Sequence, residues 1–163
     1  MGRVFSSSMP LPLFLFFLLL LPPAVPTVHP SPSEVSSDPD SAELDLRMPA
    51  AHAAEEDAYI CTSHVLGNDE ELWITRFQAL ATADVVHHML FYLCEDSRAN
   101  GSKWDCGHHG VCNTKAIIFA WAKNAPPTTL PPGVGFKIPV EARFVLQIHY
   151  AIAMAEGQTD SSG

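Results

Sequence analysis

Basic residues are scarce in this sequence of 163 residues, which holds nine lysines and arginines against 18 aspartates and glutamates. The formal net charge is −9, and no basic patch or stripe is present. Because nucleic-acid binding depends largely on lysine and arginine contacts with phosphates, a nucleic-acid partner is not expected. Eleven of the acidic residues fall between Glu34 and Glu71, so the negative charge mostly describes one solvated stretch.

Three common signatures of enzyme sites are also absent. The sequence has no His-Glu-x-x-His zinc-protease motif, no Gly-x-Ser-x-Gly nucleophile elbow and no glycine-rich phosphate loop. These absences argue against the zinc proteases, serine hydrolases and nucleotide-binding enzymes that carry those motifs.

A long apolar run occurs only near the amino terminus. Arg3 supplies a positive charge, and Leu11–Leu21 is almost purely apolar, broken only by Pro12. This pattern predicts a secretory signal over residues 1–27. A membrane anchor is the alternative, but the run is about half of the roughly 20 residues that span a bilayer. Membrane attachment is therefore expected only if a longer product carries an anchor.

The rest of the chain divides into three predicted parts. Residues 28–56 are rich in Pro, Ser, Ala and acidic residues, which predicts a disordered lead-in. A folded domain is expected over 57–156, followed by a frayed polar tail over 157–163. The domain contains all the cysteines, namely Cys61, Cys94, Cys106 and Cys112. An even count behind a secretory signal predicts two disulfides, with three possible pairings.

An N-glycosylation acceptor, Asn100-Gly101-Ser102, lies between two of the cysteines. Behind a secretory signal this sequon predicts a glycan on Asn100.

The folded part reads as strands and turns, with little sign of helix. Arg143–Tyr150 has the clearest period of two. One face of that strand would carry Phe144, Leu146, Ile148 and Tyr150, and the other Arg143, Val145, Gln147 and His149. Apolar runs at 84–94 and 116–122 predict further strands, and four prolines within 124–132 predict a loop. Five or six such runs favour an all-β fold, an antiparallel β-sandwich.

Two adjacent histidines, His87 and His88, interrupt the apolar run at 84–94. Imidazoles buried in such a run need partners for their nitrogens, and a metal ion is one common partner. Neighbouring residues on a regular strand point to opposite faces, so both can bind one ion only at a strand end, a bulge or a barrel-like edge. His149 is the expected third ligand. Ordinary hydrogen-bonded strand histidines are the alternative.

A second histidine pair, His108 and His109, lies between Cys106 and Cys112. These four residues resemble a zinc knuckle only superficially, because the spacing fits no common zinc finger and secretion favours oxidised cysteines. The pair is expected in a solvated loop. Met89, beside the first pair, is either an auxiliary soft ligand or a packing residue.

Several motifs in order resemble the peptidylglycine α-hydroxylating monooxygenase family. They are Val86-His87-His88-Met89-Leu90, Cys94, Trp104-Asp105-Cys106 with Cys112, Ala120-Trp121-Ala122-Lys123-Asn124-Ala125-Pro126-Pro127-Thr128, Leu130-Pro131, Gly133-Val134-Gly135-Phe136 and Phe144–Tyr150. The resemblance spans residues 57–150. The related dopamine β-monooxygenases share the His-His-Met and His-Tyr elements, but the Asn-Ala-Pro-Pro stretch is closer to the peptide enzyme.

The resemblance implies a jelly-roll-like sandwich, the first of two copper domains, with electrons supplied by ascorbate. It implies His87, His88 and His149 as ligands of one copper, and it places Gln147 and Met89 beside them. It also implies the disulfides Cys61–Cys106 and Cys94–Cys112. The histidine-bearing segment 108–110 departs from the family pattern. On this comparison the sandwich is expected to be truncated near its last strand.

Three hypotheses about function follow. The first is the electron-transfer domain of a copper- and ascorbate-dependent monooxygenase that hydroxylates glycine-extended peptides in a secretory granule or outside the cell. In this reading the chain alone is inactive, because the second copper site is absent from it. The second is a secreted copper-binding module, or inactive isoform, without catalysis. The third is a truncated sandwich that does not fold stably, because a missing strand exposes an edge.

Overall fold

The computed structural model describes residues 41–81, 83–98 and 100–163. The secretory signal expected over 1–27 lies outside the described residues. Residues 42–163 form one structural unit. The described part of the chain is built from strands and turns, and it includes no helix long and apolar enough to cross a membrane.

Nine strands follow one another along this unit. They are β1 (Ala58–Val65), β2 (Leu72–Ile74), β3 (Arg76–Phe77), β4 (His88–Cys94), β5 (Lys103–Asp105), β6 (Lys115–Ala122), β7 (Thr128–Thr129), β8 (Phe136–Ile138) and β9 (Arg143–Tyr150). The prediction of an all-β antiparallel fold is confirmed. Within the loop predicted over 124–132, only the two residues of β7 form a strand.

The main sheet has five antiparallel strands in the order β5-β1-β9-β4-β6. Strand β9 lies at its centre and pairs with β1 on one side and β4 on the other along its whole length or nearly so. The strand with the clearest period of two is therefore the central strand of the sheet. Both of its faces are covered, which is why all but Arg143 of its side chains are buried.

One face of the main sheet carries the larger apolar core. The alternate β9 residues Phe144, Leu146, Ile148 and Tyr150 all belong to this core, as the period of two predicts. A second layer, made of the small sheets β2–β8 and β3–β7, covers it. Phe77 of β3 stacks on Phe119 of β6 with ring centroids 4.7 Å apart. The two layers form a sandwich.

The opposite face carries a smaller core that contains both disulfides. Cys61 is bonded to Cys106 and Cys94 to Cys112, the pairing that the family resemblance implies. These bonds fasten residues 106–112, here called the cysteine loop, to β1 and β4. In the loop-entropy model, closing chain segments of 45 and 18 residues disfavours the unfolded state by about 4 and about 3 kcal/mol.

The segment that precedes β1 is packed more closely than its composition predicts. Met48, Ala51 and Ala53 are buried in the larger core. The prediction of a disordered lead-in over 28–56 is therefore wrong for this stretch, and residues 28–40 lie outside the described part. These three residues stand in a stretch that also holds Pro49, Ala50 and Ala54, so they form no periodic pattern in the sequence. They nevertheless help to seal the edge of the core.

The tail expected to be frayed over 157–163 is also held in place. Asp160 exchanges two backbone hydrogen bonds with Ala51, each 2.8 Å long. Its carboxylate accepts hydrogen bonds from the Tyr150 hydroxyl at 2.8 Å and from the Ser162 hydroxyl at 2.7 Å. Burial raises the pKa of Tyr150, and the charge of Asp160 raises it further. Asp160 and Ser162 are thus hydrogen-bonded to each other, and Asp160 also to Tyr150 of the core, which the sequence pattern does not reveal.

Replacing Asp160→Asn should lower the free energy of unfolding by about 1.5–3 kcal/mol, the range for hydrogen bonds to a charged group. The amide keeps the shape but turns an NH₂ group toward donors. Urea unfolding of the oxidised protein at pH 7 measures the change, with exposed Asp69→Asn as the control. Equal stability of the two variants would contradict the anchoring role of Asp160.

Candidate metal centre

The register of three neighbouring strands places a row of rings on the smaller-core face. Tyr59 of β1 lies directly opposite His149 of β9, and His149 lies directly opposite His88 of β4. Directly opposed residues of antiparallel strands project to the same face. The pairing of the central strand therefore brings together side chains that are about 60 residues apart in sequence.

The position of His87 explains how two adjacent histidines can face the same point. Strand β4 begins at His88, so His87 lies just before the regular strand, and its backbone N–H donates to the carbonyl of His149 at 2.9 Å. Outside the strand its side chain is free of the alternation that would send it to the opposite face. Of the three geometries that allow a shared ion, the strand end is the one found.

The three imidazoles converge through the same atom. The Nδ1 atoms of His87 and His88 are 3.1 Å apart, and His149 Nδ1 is 3.2 Å from the first and 3.3 Å from the second. A point equidistant from all three lies about 1.9 Å from each, close to the roughly 2.0 Å of a metal–imidazole bond. Three unprotonated nitrogens this close repel one another unless a proton or a metal cation lies between them. The donor set thus fits a metal ion.

A carboxylate that the sequence did not predict lies behind the site. Asp57 Oδ1 lies 3.1 Å from His149 Nε2, the ring nitrogen that faces away from the other histidines. A proton held on Nε2 by this carboxylate leaves Nδ1 unprotonated and more basic, the usual arrangement behind a ligating histidine. Asp57 precedes β1 with a backbone φ of 57°, so it lies in a turn, where no periodicity marks it.

The electrostatics of the site favour a neutral imidazole at His88. Burial lowers the pKa of His88 below its ordinary value of 6.5, and the neighbouring histidines, His149 first among them, lower it further. An imidazole with a lowered pKa keeps its lone pair at neutral pH, as metal binding requires.

Exposure differs across the three residues. His149 is buried, His88 is half-buried and His87 is exposed. The site therefore opens to solvent on the His87 side and is closed on the side of the central strand.

Gln147 does not touch the three converging nitrogens. Its amide nitrogen donates to the carbonyl of Gly107 at 2.8 Å, and its amide oxygen accepts from the Tyr92 hydroxyl at 3.3 Å. Gln147 thus ties the cysteine loop to the central strand, one row away from His149. The expected position beside the third histidine is correct in sequence, but the contacts of the side chain are to the loop.

Two sequence-based alternatives are excluded by the structure. Met89 is buried in the larger core, on the face opposite to the three histidines, so it packs rather than binds a metal. Cys106 and Cys112 are both oxidised, which removes the thiolates a zinc knuckle needs. His108 and His109 are exposed, as expected, although the ring of His108 contacts the ring of Tyr59.

Asn100 lies at the other end of the sheet from the histidines. It is exposed, and its side-chain oxygen accepts a hydrogen bond from the backbone of Val65, the last residue of β1. The histidine row instead crosses the sheet near the first residues of β1. A group attached to Asn100 would leave the metal centre uncovered.

Fold and site together define a disulfide-bonded, all-β domain with three converging imidazoles at the end of one sheet. Comparison with known proteins places it more closely. A family model described as copper type II ascorbate-dependent monooxygenase, N-terminal domain, matches residues 44–156. The chain belongs to this family and corresponds to its N-terminal domain. The match begins within the stretch whose apolar residues complete the core.

Individual relatives agree with the family match. The chain is 44% identical over 132 residues to peptidylglycine alpha-amidating monooxygenase of Rattus norvegicus, which covers 77% of this chain and 13% of the rat protein. It is 43% identical over 128 residues to peptidyl-glycine alpha-amidating monooxygenase B of Xenopus laevis, with coverages of 76% and 14%. DBH-like monooxygenase protein 1 of Gallus gallus is 35% identical over 109 residues, 58% of this chain and 18% of that protein. The chain thus spans a small part of these relatives.

The substitution Asp57→Asn should weaken copper binding about tenfold, the lower end of the range for residues that orient a ligating histidine, because Asp57 is largely exposed. Asparagine tolerates a positive φ, so the backbone is preserved. Competition with a chelator measures the affinity, and Glu55→Gln is the matched control. An affinity unchanged in Asp57→Asn would show that the carboxylate does not act on His149.

Proposed function

We propose that His87, His88 and His149 bind one copper ion, and that this domain passes electrons from ascorbate within a monooxygenase that hydroxylates glycine-extended peptides. The observation that carries the proposal is the convergence of three Nδ1 atoms at 3.1–3.3 Å on a domain of the copper type II family. The substrate class comes from the peptidylglycine relatives, which match this chain over about three quarters of its length.

The donor set suits copper. Imidazole nitrogens bind copper, zinc, iron and nickel, and the family assignment selects copper among them. The cysteines of the domain are all in disulfides, so no thiolate competes for the ion. A bound copper would supply one-electron chemistry, by alternating between Cu(I) and Cu(II) with ascorbate as the reductant.

Residues of the chain set the protonation, accessibility and rigidity of the proposed copper ligands. Asp57 holds the proton of His149 on Nε2, and His88 stays neutral because its pKa is lowered. His87, on the exposed side, leaves the centre accessible to a small water-soluble reductant. His149 is fixed by the central strand, so one ligand is held rigidly while another faces solvent.

We propose that this chain acts in electron transfer. Among the described residues, these three histidines are the one group of three or more His, Cys, Asp or Glu side chains close enough to hold a single ion. The peptide would be hydroxylated at a second site, as the family resemblance implies.

One copper per chain should bind to the oxidised protein, through imidazole nitrogens. His149→Ala should reduce the affinity at least tenfold, because it removes both a ligand and the link to Asp57. His109→Ala, which removes an exposed histidine outside the centre, is the matched control and should bind like the parent protein. Metal analysis after titration, with X-ray absorption for the ligand type, measures both quantities.

Circular dichroism must show that all three proteins are folded. A folded parent protein without stoichiometric copper would overturn the proposed metal centre. Stoichiometric copper that survives His149→Ala unchanged would place the ion elsewhere.

We also propose that the protein matures in the secretory pathway, in a granule lumen or outside the cell. Two disulfides require an oxidising compartment to form and persist. The exposed sequon at Asn100 fits the same compartment.

Expression in a secreting eukaryotic cell should give a protein with one glycan on Asn100. Ser102→Ala destroys the sequon while leaving the hydrogen bond between Asn100 and Val65 in place, which makes it the matched control. Mass spectrometry before and after enzymatic deglycosylation measures the modification. An unmodified parent protein in the secreted fraction would contradict the assignment.

A further inference from the structure

The cysteine loop brings an additional histidine to the edge of the metal centre. The ring of Tyr59 stacks on His149 with centroids 4.3 Å apart and planes 9° apart. The ring of His108 lies 4.2 Å from the same Tyr59 centroid, with its plane tilted by 50°. Tyr59 is thus in ring contact with both His149 and His108.

The loop holds His108 in this place from two sides. The disulfide Cys61–Cys106 fastens the start of the loop to β1, and the backbone N–H of Cys106 donates to the carbonyl of Tyr59 at 3.0 Å. Gln147 holds the next residue, Gly107, at 2.8 Å. A tight turn, closed by a bond of 2.7 Å from Gly110 N–H to the carbonyl of Cys106, completes the support. His108 is thus exposed to solvent but carried on fixed backbone.

His108 reaches the centre by a ring contact. It touches Tyr59, which stacks on His149, and it is not among the three residues whose nitrogens converge. Because the His108 ring packs against Tyr59, it restrains Tyr59 in its stack on His149. His149 in turn keeps Nδ1 directed at the other two nitrogens.

We propose that His108 is a positioning residue, which holds Tyr59 against His149 and so slows the loss of copper from the three-histidine centre. This inference rests on the proposed copper site. The proposal also assigns a role to segment 108–110, the part of the cysteine loop that departs from the family pattern according to the resemblance.

Copper dissociation into excess chelator tests the proposal. His108→Ala should release copper roughly three- to tenfold faster, the kinetic equivalent of losing one aromatic contact. His108→Phe keeps a flat ring over Tyr59 and should release copper at nearly the parent rate, with the parent electron paramagnetic resonance spectrum. His109→Ala is the control for the loss of an exposed imidazole, and it should behave like the parent protein.

An unchanged release rate in His108→Ala would overturn the proposal. A rate in His108→Phe as fast as in His108→Ala would also overturn it, because the imidazole nitrogen, rather than the stacked ring, would then be what matters.

A second measurement uses the metal-free protein and so separates this inference from the copper site itself. Ring currents of Tyr59 shift the imidazole proton signals of His149 in nuclear magnetic resonance spectra. These signals should move toward their ordinary positions in His108→Ala and return in His108→Phe. If the parent protein binds no copper, the proposed function fails, whereas the stack is still confirmed or refuted by these signals.

Discussion

The antiparallel register of β1, β9 and β4 is the constraint on which the rest of the structure depends. It places Tyr59, His149 and His88 in one row, and the start of β4 at His88 frees His87 to join them. A shift of one residue in either pairing would send His149 or His88 to the opposite face of the sheet. The three Nδ1 atoms would then no longer lie close together. The central position of β9, with partners on both sides, fixes that register.

Each face of the main sheet has its own means of closure. The larger core is covered by the two small sheets and sealed at its edge by the segments around Met48 and Asp160. The smaller core is covered instead by the cysteine loop, which is held by two disulfides and by Gln147. The metal centre lies at the end of this second face, so the oxidised cysteines stabilise the surroundings of the site without entering it.

Part of this arrangement follows from sequence, because its signals are local or chemical. The period of two in β9 predicts its two faces, and two adjacent histidines in an apolar run predict a ligand set at a strand end, a bulge or a barrel-like edge. Asp57 and His108 carry no such signal, since each contributes through one contact with a residue far along the chain. The packed lead-in and tail were missed because Met48 and Asp160 belong to no periodic pattern, and only the assembled core shows their role.

The central claim is that three imidazole Nδ1 atoms share one copper ion in this domain. A crystal structure of the copper-loaded protein, with anomalous data collected on both sides of the copper absorption edge, tests it most directly. One copper peak about 2 Å from Nδ1 of His87, His88 and His149 is the predicted result. A peak elsewhere on the folded domain, or copper bound through fewer than these three nitrogens, would contradict the claim.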